Sequence, residues 1–291
     1  MLPRDPACAE RRRFDGGFMG KFLLFLFGLV GAVSGLGAHA EPSVTCRIGD
    51  KTEIYAAGQL LPHAVEVEVP HDPSYGRTMR YRAVPLWDLI GPQGMKAADT
   101  LEVKSLDGFV AQIPGALVLN RDNAKPIPML AVEDPDRHWP NLPDGEHGAG
   151  PFRLIWIGPG VKDIVVDQWP YEIGSMAEQP PPEQRWPQLA VDARLPPNDP
   201  VRRGLQKFVA TCGACHTLAG GGAATLGPDL NRPMSPTEYF GAAMLKKYIR
   251  NPAALRDWAD RKMPAFPPDA LSDGDIDLII QYLAYKARTR R

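Results

Sequence analysis

Residues 212–216 read Cys212-Gly213-Ala214-Cys215-His216, and the rest of the chain is interpreted outward from them. The spacing Cys-x-x-Cys-His is the attachment sequence of a c-type haem. Each position has a chemical job: two thiols add across the two vinyl groups, and the next residue brings an imidazole to the iron as proximal ligand. A zinc site would need a second ligand pair at suitable spacing, and none follows. A thioredoxin-like motif would need a βαβ context, whereas the flanking residues have helical periodicity. The motif therefore implies one covalently bound haem c, held by Cys212 and Cys215, with His216 on the iron.

A second signal points to the compartment. Lys21 is followed by the apolar run Phe22 to Val33, and small residues lead to Ala38-His39-Ala40. This is a basic start, an apolar stretch and an A-x-A cleavage site, so residues 1–40 are expected to be a signal peptide. Met19 is an alternative start, because Asp5, Glu10 and Asp15 do not suit a signal n-region. The run is short for an uncleaved membrane anchor and rich in glycine towards its end. Export to a bacterial periplasm, with no stable anchor after cleavage, agrees with the haem motif, because covalent haem attachment takes place on that side of the inner membrane.

Composition narrows the function classes. The chain has 33 basic and 34 acidic residues, so nothing suggests binding to nucleic acid or an anionic membrane surface. Of the four cysteines, Cys8 lies in the leader and two serve the haem. Cys46 is left alone, so it is expected to be a free thiol near a mobile N-terminus or a site of intermolecular pairing. The roughly 250 residues beyond the leader suit two domains. Residues 176–198 carry Pro180-Pro181-Pro182, Pro187 and Pro196-Pro197 without an apolar period, which predicts an extended linker between residues 41–175 and 199–291.

The C-terminal part reads as helices. Asp199-Pro200 is an N-cap followed by proline at the first helical position. Val201, Leu205, Phe208, Val209 and Cys212 share a face at helical spacing, which carries Cys212 towards the core. Ser235-Pro236-Thr237-Glu238 is a capping box, predicting a second helix that ends before Asn251-Pro252. Ser272-Asp273-Gly274-Asp275 opens the last helix, whose stripe is Ile276, Ile279, Ile280, Leu283 and Ala284.

On these segments residues 199–291 resemble a mono-haem cytochrome c domain. The matching pieces are Gly204 and Phe208 before the haem motif, Gly227-Pro228-Asp229-Leu230, Tyr248-Ile249-Arg250-Asn251-Pro252, Lys262-Met263-Pro264 and Asp277 to Leu283. The resemblance implies an all-α fold with Met263 as sixth iron ligand. It also implies that the Pro228 carbonyl accepts the ring N–H of His216, and that Gly204 packs against Tyr282. A His/Met site has no open position, so it transfers electrons. Met234 and Met244 are rival ligands, and both suit flexible apolar packing better. Gly220-Gly221-Gly222 is either a flexible turn or a haem edge left unsealed for a partner.

Residues 41–175 read as a β-rich α+β domain. Val65, Val67 and Val69 alternate with Glu66 and Glu68. Leu101 to Lys104, turning at Asp107-Gly108 into Phe109 to Ile113, is a hairpin. Phe152 to Ile157 and Asp163 to Val166 are further strands, and Leu86 to Ile90 a short helix. Tyr81 to Ile90, Leu106 to Phe109 and Gly150 to Trp156 resemble scaffold segments of the sulfite-oxidase-type molybdopterin domain. That family binds molybdenum through one cysteine. Cys46 is the one candidate and lacks the expected surroundings, so the resemblance implies a scaffold without molybdopterin. His138, Trp139 and His147, with Asp134, Asp136 and Glu146, form either a metal-binding loop or a solvated loop with its tryptophan packed down. His63 and His71 flank the first strand as polar surface, and Arg288, Arg290 and Arg291 suit a helix C-terminus.

The expected protein is thus an α+β chain: a sulfite-oxidase-like β-rich domain followed by an all-α cytochrome c domain. It would pass single electrons between periplasmic redox partner proteins. The rival is an enzyme, a molybdenum-type or other periplasmic dehydrogenase with its substrate site in residues 41–175.

Overall fold

A computed structural model describes residues 41–290 apart from 144, 146, 259 and 260; the proposed leader, Cys8 and Arg291 lie outside the described residues. Among the described residues of the N-terminal half, nine strands form two sheets. The first has the order β2 (Lys51–Ala56), β1 (Ser43–Ile48), β9 (Ile173–Gln179), β5 (Thr100–Ser105), β6 (Val110–Pro114). The second has β3 (Val65–Asp72), β4 (Arg77–Pro85), β7 (Ile127–Val132), β8 (Phe152–Ile157). All pairs are antiparallel except β1 with β9. Alternation sends Val44, Cys46 and Ile48 of β1 inward and leaves Arg47 outside. The expected hairpin is β5–β6 and the expected short helix spans Leu86–Ile90. No helix among the described residues is long and apolar enough to cross a membrane.

The core of this half holds a buried ion pair. Arg153 and Asp72, both fully buried, pair at 3.3 Å, and the Tyr81 hydroxyl donates to Asp72 at 2.8 Å while accepting from Arg153 at 3.0 Å. Such a pair stays buried only if its hydrogen bonds are met. Trp139 packs edge-on to Tyr81 at 5.0 Å, and His138 Nδ1 lies 3.1 Å from Glu133 Oε2. The loop is thus tied down by its tryptophan. No group of three or more His, Cys, Asp or Glu suited to a metal ion occurs among the described residues, with Glu146 outside them.

The C-terminal half has three longer helices, α1 (Pro200–Ala210), α2 (Ala242–Arg250) and α3 (Asp273–Arg288). Their starts follow local chemistry. The Asp199 side chain accepts from Val201 N at 2.8 Å, and Ser272 accepts from Asp275 N at 3.1 Å. α1 and α3 cross closely at Gly204, where a Cβ would stand 2.2 Å from Leu278 O and 2.7 Å from Tyr282 Cβ. Phe208 and Tyr282 meet beside that crossing with ring centroids 5.4 Å apart.

The structure corrects five expectations. Residues 176–179 are not linker but the end of β9, the middle strand of its sheet. Residues 180–198 are not a free tether either. Leu189 is 3% exposed and belongs to the helical core, with Trp186 and Val191 packed on it. Tyr282 Oη donates to Leu189 O at 2.7 Å and Lys286 Nζ to Ala190 O at 2.9 Å. Arg185 pairs with the buried Glu102 of β5, so this strap binds both halves. Cys46 is neither mobile nor exposed, because β1 buries it completely. Asp163 to Val166 is no strand; short 3-10 turns at Val161–Asp163 and Val166–Gln168 replace it. The second helix is two pieces, Pro236–Tyr239 and α2, because the chain turns extended at Phe240 and Gly241.

The strap makes a prediction that a free linker would not. Leu189→Ala should destabilise the helical half by about 2–5 kcal/mol, read as a lower denaturant midpoint. Arg194→Ala, on the exposed rim of the same segment, should leave the midpoint unchanged. An unaltered midpoint for Leu189→Ala would return residues 180–198 to the status of a tether.

Candidate haem-attachment site

The site begins where α1 ends. Thr211, itself buried, departs from helical geometry, and Cys212–Ala214 forms a 3-10 turn closed by Cys215 N to Cys212 O at 3.1 Å. His216 N donates to Cys212 O at 2.8 Å, which fixes the imidazole one step beyond the second thiol. Cys212 and Cys215 are both free and half-buried. Burial first, then nearby carboxylates, push both thiols up to about 12.

The imidazole is held from two sides. His216 Nδ1 lies 2.8 Å from Pro228 O. A carbonyl can only accept, so Nδ1 carries the proton and Nε2 keeps its lone pair. Gly227 backs the ring: a Cβ there would stand 2.4 Å from Cε1 and 2.5 Å from Nδ1. Burial lowers the pKa of His216 despite the opposing bond to Pro228, which favours the neutral, ligating form. The thiol pair, the open Nε2 and the glycine seat fit a c-type haem.

In the sequence Gly227 and Asp229 are only parts of a motif, and the structure supplies their roles. Asp229 accepts from Ala219 N at 2.9 Å, Gly220 N at 2.7 Å, Asn231 N at 2.7 Å and Thr217 Oγ1 at 3.1 Å. Partial burial would raise its pKa, but these bonds hold it below the usual carboxylate range. Asp229 thereby organises the glycine turn. Gly220 and Gly222 are in the left-handed region, at φ +80° and +121°. Gly221 is not an unsealed edge: it lies beneath the strap, where a Cβ would stand 3.1 Å from Trp186 Cβ and 3.3 Å from Leu189 Cγ.

Of the three methionines weighed as sixth ligand, Met263 alone is half-buried and packed on the helical core. Met234 and Met244 are 44% and 43% exposed. Gly204 and Tyr282 meet at the α1–α3 crossing. Cys46 belongs to the other half's core, where burial pushes its thiol up to about 11.

The turn Cys212–Ala214 also touches the β-rich half. β6 packs on Cys212–Ala214 and on α1, and the turn Val166–Gln168 packs on β6. In the β5–β6 turn, at φ +98°, a Cβ on Gly108 would stand 3.3 Å from Thr225 Oγ1.

Comparison with known proteins agrees with the helical half. No curated protein matches the chain. Among solved structures, the sulfane dehydrogenase SoxCD from Paracoccus pantotrophus is similar over 47% of this chain and 37% of its own, at 15% identity and a TM-score of 0.32, too slight a likeness to bear on fold or function. Residues 199–283 match the family model described as cytochrome c oxidase, cbb3-type, subunit III, and this segment is a cytochrome c domain.

Proposed function

We propose that this protein is an exported electron carrier with one haem c, attached through Cys212 and Cys215 and ligated by His216 and Met263. The observation that supports it most is the turn Cys212–His216 with its imidazole oriented by Pro228, within the segment that matches a cytochrome c family. When bound, the haem supplies a site that holds and releases one electron at a time.

The chain's residues have separate jobs in that reading. Cys212 and Cys215 anchor two edges of the ring. Pro228 O keeps the His216 proton on Nδ1, so Nε2 would be the nitrogen available to the iron, with greater basicity. Met263 would be the second protein ligand; its thioether would favour ferrous iron and raise the potential relative to a second histidine. Gly204 and Tyr282 act at a distance, by setting the helix crossing that delivers α1 to the turn. Residues 1–40 would direct export to the periplasm, where the carrier exchanges electrons with redox partner proteins.

The β-rich half serves in this reading as a sulfite-oxidase-like scaffold without molybdopterin. Its support is Cys46, wholly buried in β1 among core residues with a raised thiol pKa, hence a poor candidate for a metal thiolate.

Two substitutions test the ligand set in the haem-loaded chain. Met263→Ala should open the iron and allow carbon monoxide binding on reduction, with the haem still covalently attached, while Met234→Ala and Met244→Ala leave the spectrum unchanged. An unchanged low-spin spectrum in Met263→Ala would place the sixth ligand elsewhere. Gly227→Ala should push the imidazole off its seat and lose the low-spin spectrum; a native spectrum there would mean that His216 is not the ligand held in this geometry.

A further inference from the structure

One carboxylate in the β-rich half has a position that its own domain does not explain. Among the described residues, the half-buried Asp167 has its Oδ2 shielded from solvent without a hydrogen-bond partner. An unpaired buried carboxylate is costly, so a fold without use for it would be expected to place it in water. Its turn, Val166–Gln168, is held firmly. Trp169 N donates to Val166 O at 3.0 Å, and the buried Trp156 indole donates to Gln168 O at 2.8 Å. Trp169, next in the chain, is 3% exposed. The same turn packs on β6, which packs on Cys212–Ala214.

The two thiols of the attachment turn both feel this carboxylate. After burial, Asp167 is the largest influence raising Cys212 and Cys215, and Asp107 in the β5–β6 turn acts on Cys215 as well. The scaffold half thus presents negative charge to the edge at which the haem would be attached. Burial also raises the Asp167 carboxyl itself, to about 7, against one opposing backbone hydrogen bond. No charged side chain contributes to that shift. β6, which packs on this turn, runs Val110–Pro114 and carries no titratable side chain, and the attachment turn beyond it contributes Cys212 and Cys215.

We propose that Asp167 is the scaffold domain's control on the haem: its carboxylate lowers the reduction potential, and its protonation accompanies uptake of an electron. This rests on the haem reading above. One electron from the redox partner lowers the charge of the iron site by one, and one proton from solvent forms an O–H bond on Asp167. Reoxidation returns the electron to the acceptor protein and the proton to solvent. The sign follows from Coulomb's law: a negative charge beside the site favours the oxidised form, so the potential is lower with the carboxylate than with the acid. The β-rich half then has a task that needs no cofactor of its own.

The test is spectroelectrochemical titration of the full haem-loaded chain between about pH 5 and 9, for the wild type, Asp167→Asn and Asp167→Glu. The wild-type potential should fall as pH rises through neutrality. Asp167→Asn should keep the visible spectrum, lose most of that slope, and hold a higher reduced fraction than wild type at the alkaline end at any fixed poise. Asp167→Glu should restore a slope. A wild-type potential that does not change with pH would overturn the proposal whatever the variants do. So would a slope that survives intact in Asp167→Asn. A chain without covalent haem would instead overturn the electron-carrier reading, so the two failures are distinguishable.

Discussion

A hydrogen bond of 2.8 Å between His216 Nδ1 and Pro228 O ties the thiol-bearing turn to the segment that follows it twelve residues later. It does two things at once. It selects the tautomer that leaves Nε2 free, and it fixes the plane of the ring. The bond requires the 3-10 turn to lie against Gly227-Pro228, and that approach requires glycine at 227, since any side chain would intersect the imidazole. Asp229, gathering four donors from the intervening loop, keeps the same segment folded back. The α1–α3 crossing at Gly204 then determines where the whole unit sits.

The second constraint is long-range. The segment between the two halves is anchored by Leu189 and Trp186 on the helical core and by Arg185 on Glu102 of β5. The attachment turn is therefore positioned against β6 by packing as well as by the chain. Two halves joined in this way share an electrostatic environment: carboxylates of one act on the thiols of the other. A tethered pair of independent domains would offer no such coupling.

What could be read in advance was local. Asp199-Pro200 and Ser272 mark helix starts because a cap satisfies donors within three residues, and both caps are present. Phe152–Ile157 and the β5–β6 hairpin were legible from a short apolar run and from Asp107-Gly108 at a tight turn. The missed features depend on partners far away. Prolines at 180–187 look like a tether until Leu189 meets Tyr282, 93 residues later. Asp163 to Val166 looks like a strand, yet the segment joins two 3-10 turns, Val161–Asp163 and Val166–Gln168, and pairs with no strand. Cys46 looks exposed from its place just after the proposed leader, although Val44, Cys46 and Ile48 already show the alternation of a strand with one buried face. Within the candidate site, the residues of the motif were legible, whereas the strap over Gly221 and the carboxylate of Asp167 emerge only from packing between the halves.

Intact-mass measurement, after expression with export and haem maturation, tests the central claim most directly. The account requires a chain heavier by one haem, with the added mass surviving denaturation and mapping to the peptide that contains Cys212 and Cys215. It also requires that Cys212→Ser with Cys215→Ser abolish the addition. A chain that leaves the maturation system with both thiols free, or with haem removable by denaturation, would contradict it.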